Sequence, residues 1–155
     1  MQDHQETSID YRLHARLGFR LSRLSRLVQT RLEQKLDSYG MTRLKWCVLS
    51  GVALEAVTTP SSLAAHIGLT RPSVSRLLMQ MRKEGLIRQD LDEEDGRSRH
   101  ITLTELGQER LRQCRPIVDE NEQYFMKKLA TDKAAAFSEG LDTLLSGENM
   151  RLDRL

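Results

Sequence analysis

Cysteine is scarce in this 155-residue chain. Cys47 and Cys114 lie far apart in helical patterns with no CxxC spacing, so neither a disulfide framework nor a zinc site is indicated. No apolar run approaches the length of a membrane span, and Met1 to Ser8 is polar where a signal peptide would carry its hydrophobic core. No membrane partner is expected, and a cytoplasmic location is. The GxSxG, HExxH and phosphate-loop patterns are missing, so no catalytic residue, metal or cofactor is expected and the chain reads as a non-enzyme. Aromatic residues make up only 5% and charged residues 30%, which suits a helical, well-solvated molecule of one domain. There is no internal repeat or low-complexity segment.

Net charge is only +2, but its distribution is uneven. Arg12, Arg16, Arg20, Arg23, Arg26 and Arg31 decorate the first helical pattern, whereas Asp90, Asp92, Glu93, Glu94 and Asp95 crowd a short acidic stretch. Along that first pattern Leu13, Leu17, Leu21, Leu24, Val28, Leu32 and Leu36 form a continuous apolar stripe ending near Tyr39 and Gly40. A second stripe runs through Leu106, Leu111, Cys114, Val118, Phe125 and Leu129, and after Thr131 a last helix carries Phe137, Leu141, Leu144 and Leu145. Three such long amphipathic helices exceed what a small lobe needs, so they predict intertwining with a second copy of the chain. Met150, Leu152 and Leu155 are expected to dock on that copy.

Between these arms the punctuation is dense. Thr59 can cap a helix with Pro60 in its first turn and Leu63, Ala64 and Ile67 on one face, ended by Gly68. Thr70 is the next cap, with Pro72 in the first turn. Val74, Leu77, Leu78 and Met81 then face a core, which turns Pro72, Ser75, Arg76, Gln80 and Lys83 outward and leaves Ser73 on the flank, until Gly85 stops the helix. Leu86 to Asp92 and Ser98 to Leu103 are of strand length, and Gly96 between them supplies the positive φ of a tight turn. Arg99 shares a face with Ile101 and Leu103 but lies beyond the core, toward the hairpin tip. Thr104 closes the hairpin and caps a new helix in which Gly107 permits close backbone packing.

Two short capped helices followed by a hairpin describe a winged helix-turn-helix. The run from Leu69 to Gly107 resembles the MarR (multiple antibiotic resistance regulator) family of bacterial transcription factors. The resemblance rests on Val74-Ser75-Arg76, Glu84-Gly85-Leu86, Arg88, Asp95-x-Arg97, and Leu103-Thr104 followed by Gly107. Glycine in the middle of the Asp-x-Arg signature, and the acidic neighbours Glu93 and Glu94, depart from the family pattern. The resemblance implies a mainly α (α+β) fold: a single domain over 1–155, with dimerisation helices at 9–39 and 104–155 and a winged helix-turn-helix lobe at 42–103. Its two-stranded β-hairpin is the wing.

The expected function is sequence-specific binding of double-stranded DNA by a homodimer, as a transcriptional repressor on a pseudo-palindromic operator. Arg71 and Arg76 are expected to read guanine or clamp phosphate, and Pro72, Ser73 and Ser75 to meet thymine methyls or base edges. Arg82 is a lesser contact, and Ser61 and Ser62 stand near a helix start where phosphate is held. By resemblance, Asp95 orients Arg97 toward the minor groove, with Arg99 beside it. Family members also release DNA on binding small aromatic or phenolic anions, for which His14, Arg16, Arg20 and Trp46 are the candidate pocket. Two alternatives remain open: a thiol or oxidant sensor of the same fold acting through Cys47 or Cys114, and a winged-helix module that contacts another protein instead of DNA.

Overall fold

Among the described residues, threonines start four of the six α-helices. The side-chain oxygens of Thr42, Thr59, Thr70 and Thr104 accept backbone N–H groups of the first turns that follow them, supplying partners that a helix start otherwise lacks. The computed structural model describes residues 11–91 and 99–148. In chain order it contains α1 (Leu17–Leu36), α2 (Arg43–Leu54), α3 (Pro60–Ile67), α4 (Arg71–Lys83), β1 (Ile87–Leu91), β2 (Arg99–Leu103), α5 (Glu105–Met126) and α6 (Thr131–Leu145). This is a mainly helical winged helix-turn-helix, the fold class expected above.

Helices α2, α3 and α4 enclose a core built on Val48, Leu49, Leu63, Val74, Leu78 and Met81, all buried. Gly68, at φ 77°, ends α3 in the left-handed conformation and allows α4 to start at Arg71, with only Leu69 and Thr70 between them. Gly85, at φ 72°, ends α4 similarly: its N–H reaches the Arg82 carbonyl and the Leu86 N–H reaches that of Met81, which turns the chain into β1. β1 and β2 pair antiparallel with Ile87 opposite Leu103 and Leu91 opposite Arg99. The Ile101 N–H also donates to the Thr58 carbonyl at 2.8 Å, so the hairpin is fastened to the segment that leads into α3.

The base of the hairpin is tied to three elements at once. The Thr104 N–H donates to the Leu86 carbonyl, its hydroxyl donates to the Gly85 carbonyl, and its side-chain oxygen accepts the Gly107 N–H that starts α5. α5 crosses the Leu86 backbone so closely that a β-carbon on Gly107 would overlap the Leu86 carbonyl oxygen. Gly107 is therefore fixed by contact with a remote backbone.

The first helix is shorter than its apolar stripe suggests. Leu13–Ala15 forms a separate 3-10 turn closed by the Arg16 N–H on the Leu13 carbonyl, and Arg16 is extended with no side-chain cap, so α1 begins at Leu17. α1 lies along α5. The Arg31 guanidinium bonds both Glu120 and Asn121 and lies 3.9 Å from the centre of the Tyr124 ring, Lys35 reaches Glu120 at 2.8 Å, and buried Asn121 donates to the Val28 carbonyl. These contacts hold the Glu120 carboxyl down to about 2, through hydrogen bonds from Arg31 and Lys35 and their charges. α5 continues through Pro116 as one helix although proline offers no N–H there.

α6 buries none of its residues against its own chain, and Phe137, Leu144 and Leu145 stand exposed. Between α1, α5 and α6 lies an open apolar groove of about 530 Å³, lined by Leu21, Leu24, Val28, Leu32, Phe125 and Phe137 among others. No helix among the described residues is long and apolar enough to cross a membrane.

Candidate nucleic-acid interface

The outer face of α4 is set by the burial of its inner one. Val74, Leu78 and Met81 point into the core, so Arg71, Pro72, Ser75, Arg76, Met79 and Gln80 are turned to solvent, with Arg82 and Lys83 exposed in the last turn. Among the described residues Arg71, Arg76 and Arg82 make no ion pair. Their guanidinium forks are left for an external acceptor.

Two of the serines have local duties. Ser73 is half-buried in the α4 cap, where its N–H and its hydroxyl oxygen both engage Thr70 Oγ1 at 3.3 and 2.9 Å. Ser62 forms a reciprocal capping box with Thr59: its N–H donates to Thr59 Oγ1, its hydroxyl accepts the Thr59 N–H at 3.2 Å, and the two hydroxyls lie 2.6 Å apart. Ser61 and Ser75 are exposed, with only a long 3.5 Å contact from Ser61 to Thr59. Arg99 is exposed at the start of β2, and Arg88 is exposed on β1. Asp95 and Arg97 lie outside the described residues, as do Glu93, Glu94, Gly96 and the tail residues Met150, Leu152 and Leu155.

Burial pushes the Cys47 thiol up despite the Arg43 guanidinium beside it, and burial likewise raises that of Cys114, which is fully enclosed. Neither carries the lowered pKa of a reactive thiolate.

The pocket expected from His14, Arg16, Arg20 and Trp46 is not assembled as a unit. His14 and Arg20 line an open groove of about 280 Å³ together with Phe19, Arg23, Leu24 and Leu27, and His14 sits edge-on to Phe19. Arg16, on the extended residue before α1, instead covers the Tyr11 ring at 4.7 Å. Trp46, on α2, is half-buried and packs against the hydrophobic core.

Sequence reasoning missed one charged group altogether. Lys45 is buried, donates to the Gly40 carbonyl at 3.1 Å and pairs with Glu84 at 2.7 Å. Burial works against the Glu84 charge, yet the hydrogen bonds from Lys45 and Gln80 and the Lys45 charge outweigh it and lower its pKa. The signal was present: Lys45 stands at the i position of an i, i+3, i+4, i+7 stripe completed by Val48, Leu49 and Val52.

Against that geometry, residues 39–98 match the sequence profile of the MarR family. Over this segment the chain is similar to the MarR family. Solved MarR-type structures superpose over most of the chain. MepR of S. aureus, solved as a DNA complex, aligns with a TM-score of 0.76 at 23% identity, covering 84% of this chain and 95% of that one. A mutant MarR from E. coli complexed with operator DNA aligns with a TM-score of 0.77 at 22% identity, covering 83% and 93%. CouR from Rhodococcus jostii, bound to p-coumaroyl-CoA, aligns with a TM-score of 0.76 at 22% identity, covering 90% and 99%. At these identities the likeness is one of fold: the arms α1, α5 and α6 and the winged lobe have the arrangement of MarR-family regulators.

Proposed function

We propose that the chain is a sequence-specific, double-stranded DNA-binding transcriptional regulator that works as a homodimer and represses from a pseudo-palindromic operator. The observation that carries this reading is the outer face of α4, where Arg71 and Arg76 stand unpaired on a firmly capped helix beside a hairpin wing. A guanidinium fork matches guanine O6 and N7, so Arg76 reads a base while Arg71 and Arg82 clamp phosphate. Pro72, Ser73 and Ser75 lie at the same end and meet thymine methyls or base edges. Ser61 supplies a phosphate contact at the start of α3, with Ser62 contributing through the end of its capped turn. Asp95 orients Arg97 into the minor groove, and Arg99 follows the backbone beside it.

The dimer is supported by α6 and the apolar groove it shares with α1 and α5: a helix with no buried residue gains its stability by packing against another surface. A two-fold axis through these arms would present two copies of α4 to successive major grooves about 10 bp apart. We further propose that a small aromatic or phenolic anion releases the DNA, held by His14, Phe19, Arg20 and Arg23, with Trp46 and Arg16 outside that groove.

The test is selection of bound duplexes from a random pool, followed by affinity measurements across salt concentrations and sedimentation of the free and bound chain. A two-fold symmetric motif, a steep fall of affinity with salt and a dimer at micromolar concentration are expected. Binding with no preference between selected and scrambled duplexes would refute sequence reading. A folded monomer would refute the two-fold geometry.

A further inference from the structure

Lys45 is a cation at a position patterned for an apolar side chain. Only 6% of its surface is exposed. A charge buried to that degree persists only when it is paired and its donors are satisfied. Here Nζ donates to the Gly40 carbonyl at 3.1 Å and to Glu84 Oε2 at 2.7 Å. The other carboxylate oxygen, Oε1, accepts from Gln80 at 2.9 Å. The two acceptors belong to different parts of the molecule. Gly40 is the left-handed residue closing the turn that ends the α1 arm, and Glu84 is the C-cap of α4.

We infer that Lys45 and Glu84 form a positioning clasp that fixes α4 relative to the α1 arm, and with it the spacing at which two copies present α4 to DNA. The inference rests on the DNA-reading dimer proposed above. Apolar contacts along Val74, Leu78 and Met81 are non-directional and tolerate small rotations of α4. A short ion pair at the far end of the helix, anchored also to the arm's terminal carbonyl, does not. Buried ion pairs exchanged for apolar residues of similar volume often leave stability unchanged, so orientation is the property this pair supplies.

The test uses the full chain with Lys45→Met, which keeps the length of the stem and lets the partly exposed Glu84 turn to water. Spin labels go on Gln34 of α1 and Ser75 of α4, both exposed, with Cys47→Ser, the enclosed Cys114 left in place, and labelled protein diluted with unlabelled. Binding is measured on unlabelled protein, using the selected operator and a version with one base pair inserted between its half-sites. The variant should melt close to the wild type, broaden the α1 to α4 distance distribution, bind the operator about tenfold less tightly, and lose most of the insertion penalty. In a double-mutant cycle Lys45→Met with Glu84→Gln should cost no more than the larger single change.

A folded Lys45→Met chain with the wild-type distance distribution overturns the inference. So does a broadened distribution with an unchanged insertion penalty. If Lys45→Met alone unfolds, the double variant, which leaves no unmatched charge, carries the same measurements. If the wild-type chain selects no DNA, the function proposed above fails, while the distance distribution still decides whether the clasp positions α4.

Discussion

Replacing Gly107 with alanine adds a single methyl group at the point where α5 passes over Leu86. That methyl would overlap the Leu86 carbonyl oxygen and sit 3.1 Å from its carbon, so two backbones must separate by on the order of an ångström. No side chain can give way there. Overpacking of this kind costs about 1 to 3 kcal/mol. The shift also strains the 3.1 Å bond from the Thr104 N–H to the Leu86 carbonyl and the bond from the Thr104 hydroxyl to Gly85, each worth about 1 kcal/mol. Alanine returns about 1 kcal/mol through its better helix propensity. The net expectation is a loss of about 2 to 4 kcal/mol, or a fall in Tm of roughly 5 to 15 °C for a chain of this size. Calorimetry of Gly107→Ala and wild type at one fixed protein concentration measures it, since a dimer's Tm depends on concentration. An unchanged Tm would show that the approach of α5 to Leu86 is not the constraint described.

Arg76→Ala should cost about 1 to 3 kcal/mol at the selected operator and relax base preference at one position of each half-site, whereas Arg97→Ala should weaken all duplexes together. Titrations at several salt concentrations separate the two, and an Arg97 variant that binds every duplex as wild type does would remove the wing from the interface. Glu120 is held at about 2, below the roughly 4.3 of an unfolded glutamate, so its contribution to stability is complete above that higher value and is lost as pH falls toward about 2. Glu120→Gln should therefore flatten the acid limb of a denaturant-stability profile between about pH 4.5 and 2, and an identical slope in both proteins would refute the Arg31–Glu120–Lys35 linkage. Aromatic carboxylates should lower operator affinity in a manner weakened by Arg20→Ala, because a ligand shifts a conformational equilibrium only through unequal affinity for its two states. Binding seen by calorimetry with no change in DNA affinity would leave that groove without a regulatory role.

The local chemistry of this chain is written in consecutive residues. Thr59-Pro60 and Thr70-Arg71-Pro72 start α3 and α4, Gly68 and Gly85 end them, and the spacing of Val74, Leu78 and Met81 decides which side of α4 faces outward. Caps, stops and helical faces depend on neighbours within a turn or two, which is why the winged lobe and its outward arginines are legible in the amino-acid sequence alone. The beginning of α1 is less legible, because nothing in Leu13–Arg16 except the backbone's own 3-10 turn interrupts the leucine stripe.

What the tertiary structure decided were meetings between distant segments. Sequence periodicity marks Lys45 as inward-facing but cannot say that Glu84 and the Gly40 carbonyl await it. It marks Gly107 as permissive but not that Leu86 lies beneath it. It offers Trp46 and the first-helix arginines as one pocket, whereas Trp46 packs against the core and Arg16 covers the Tyr11 ring. Each of these outcomes depends on the relative placement of whole helices. Burial of the full set of apolar faces sets that placement, and no single stretch of residues contains the information.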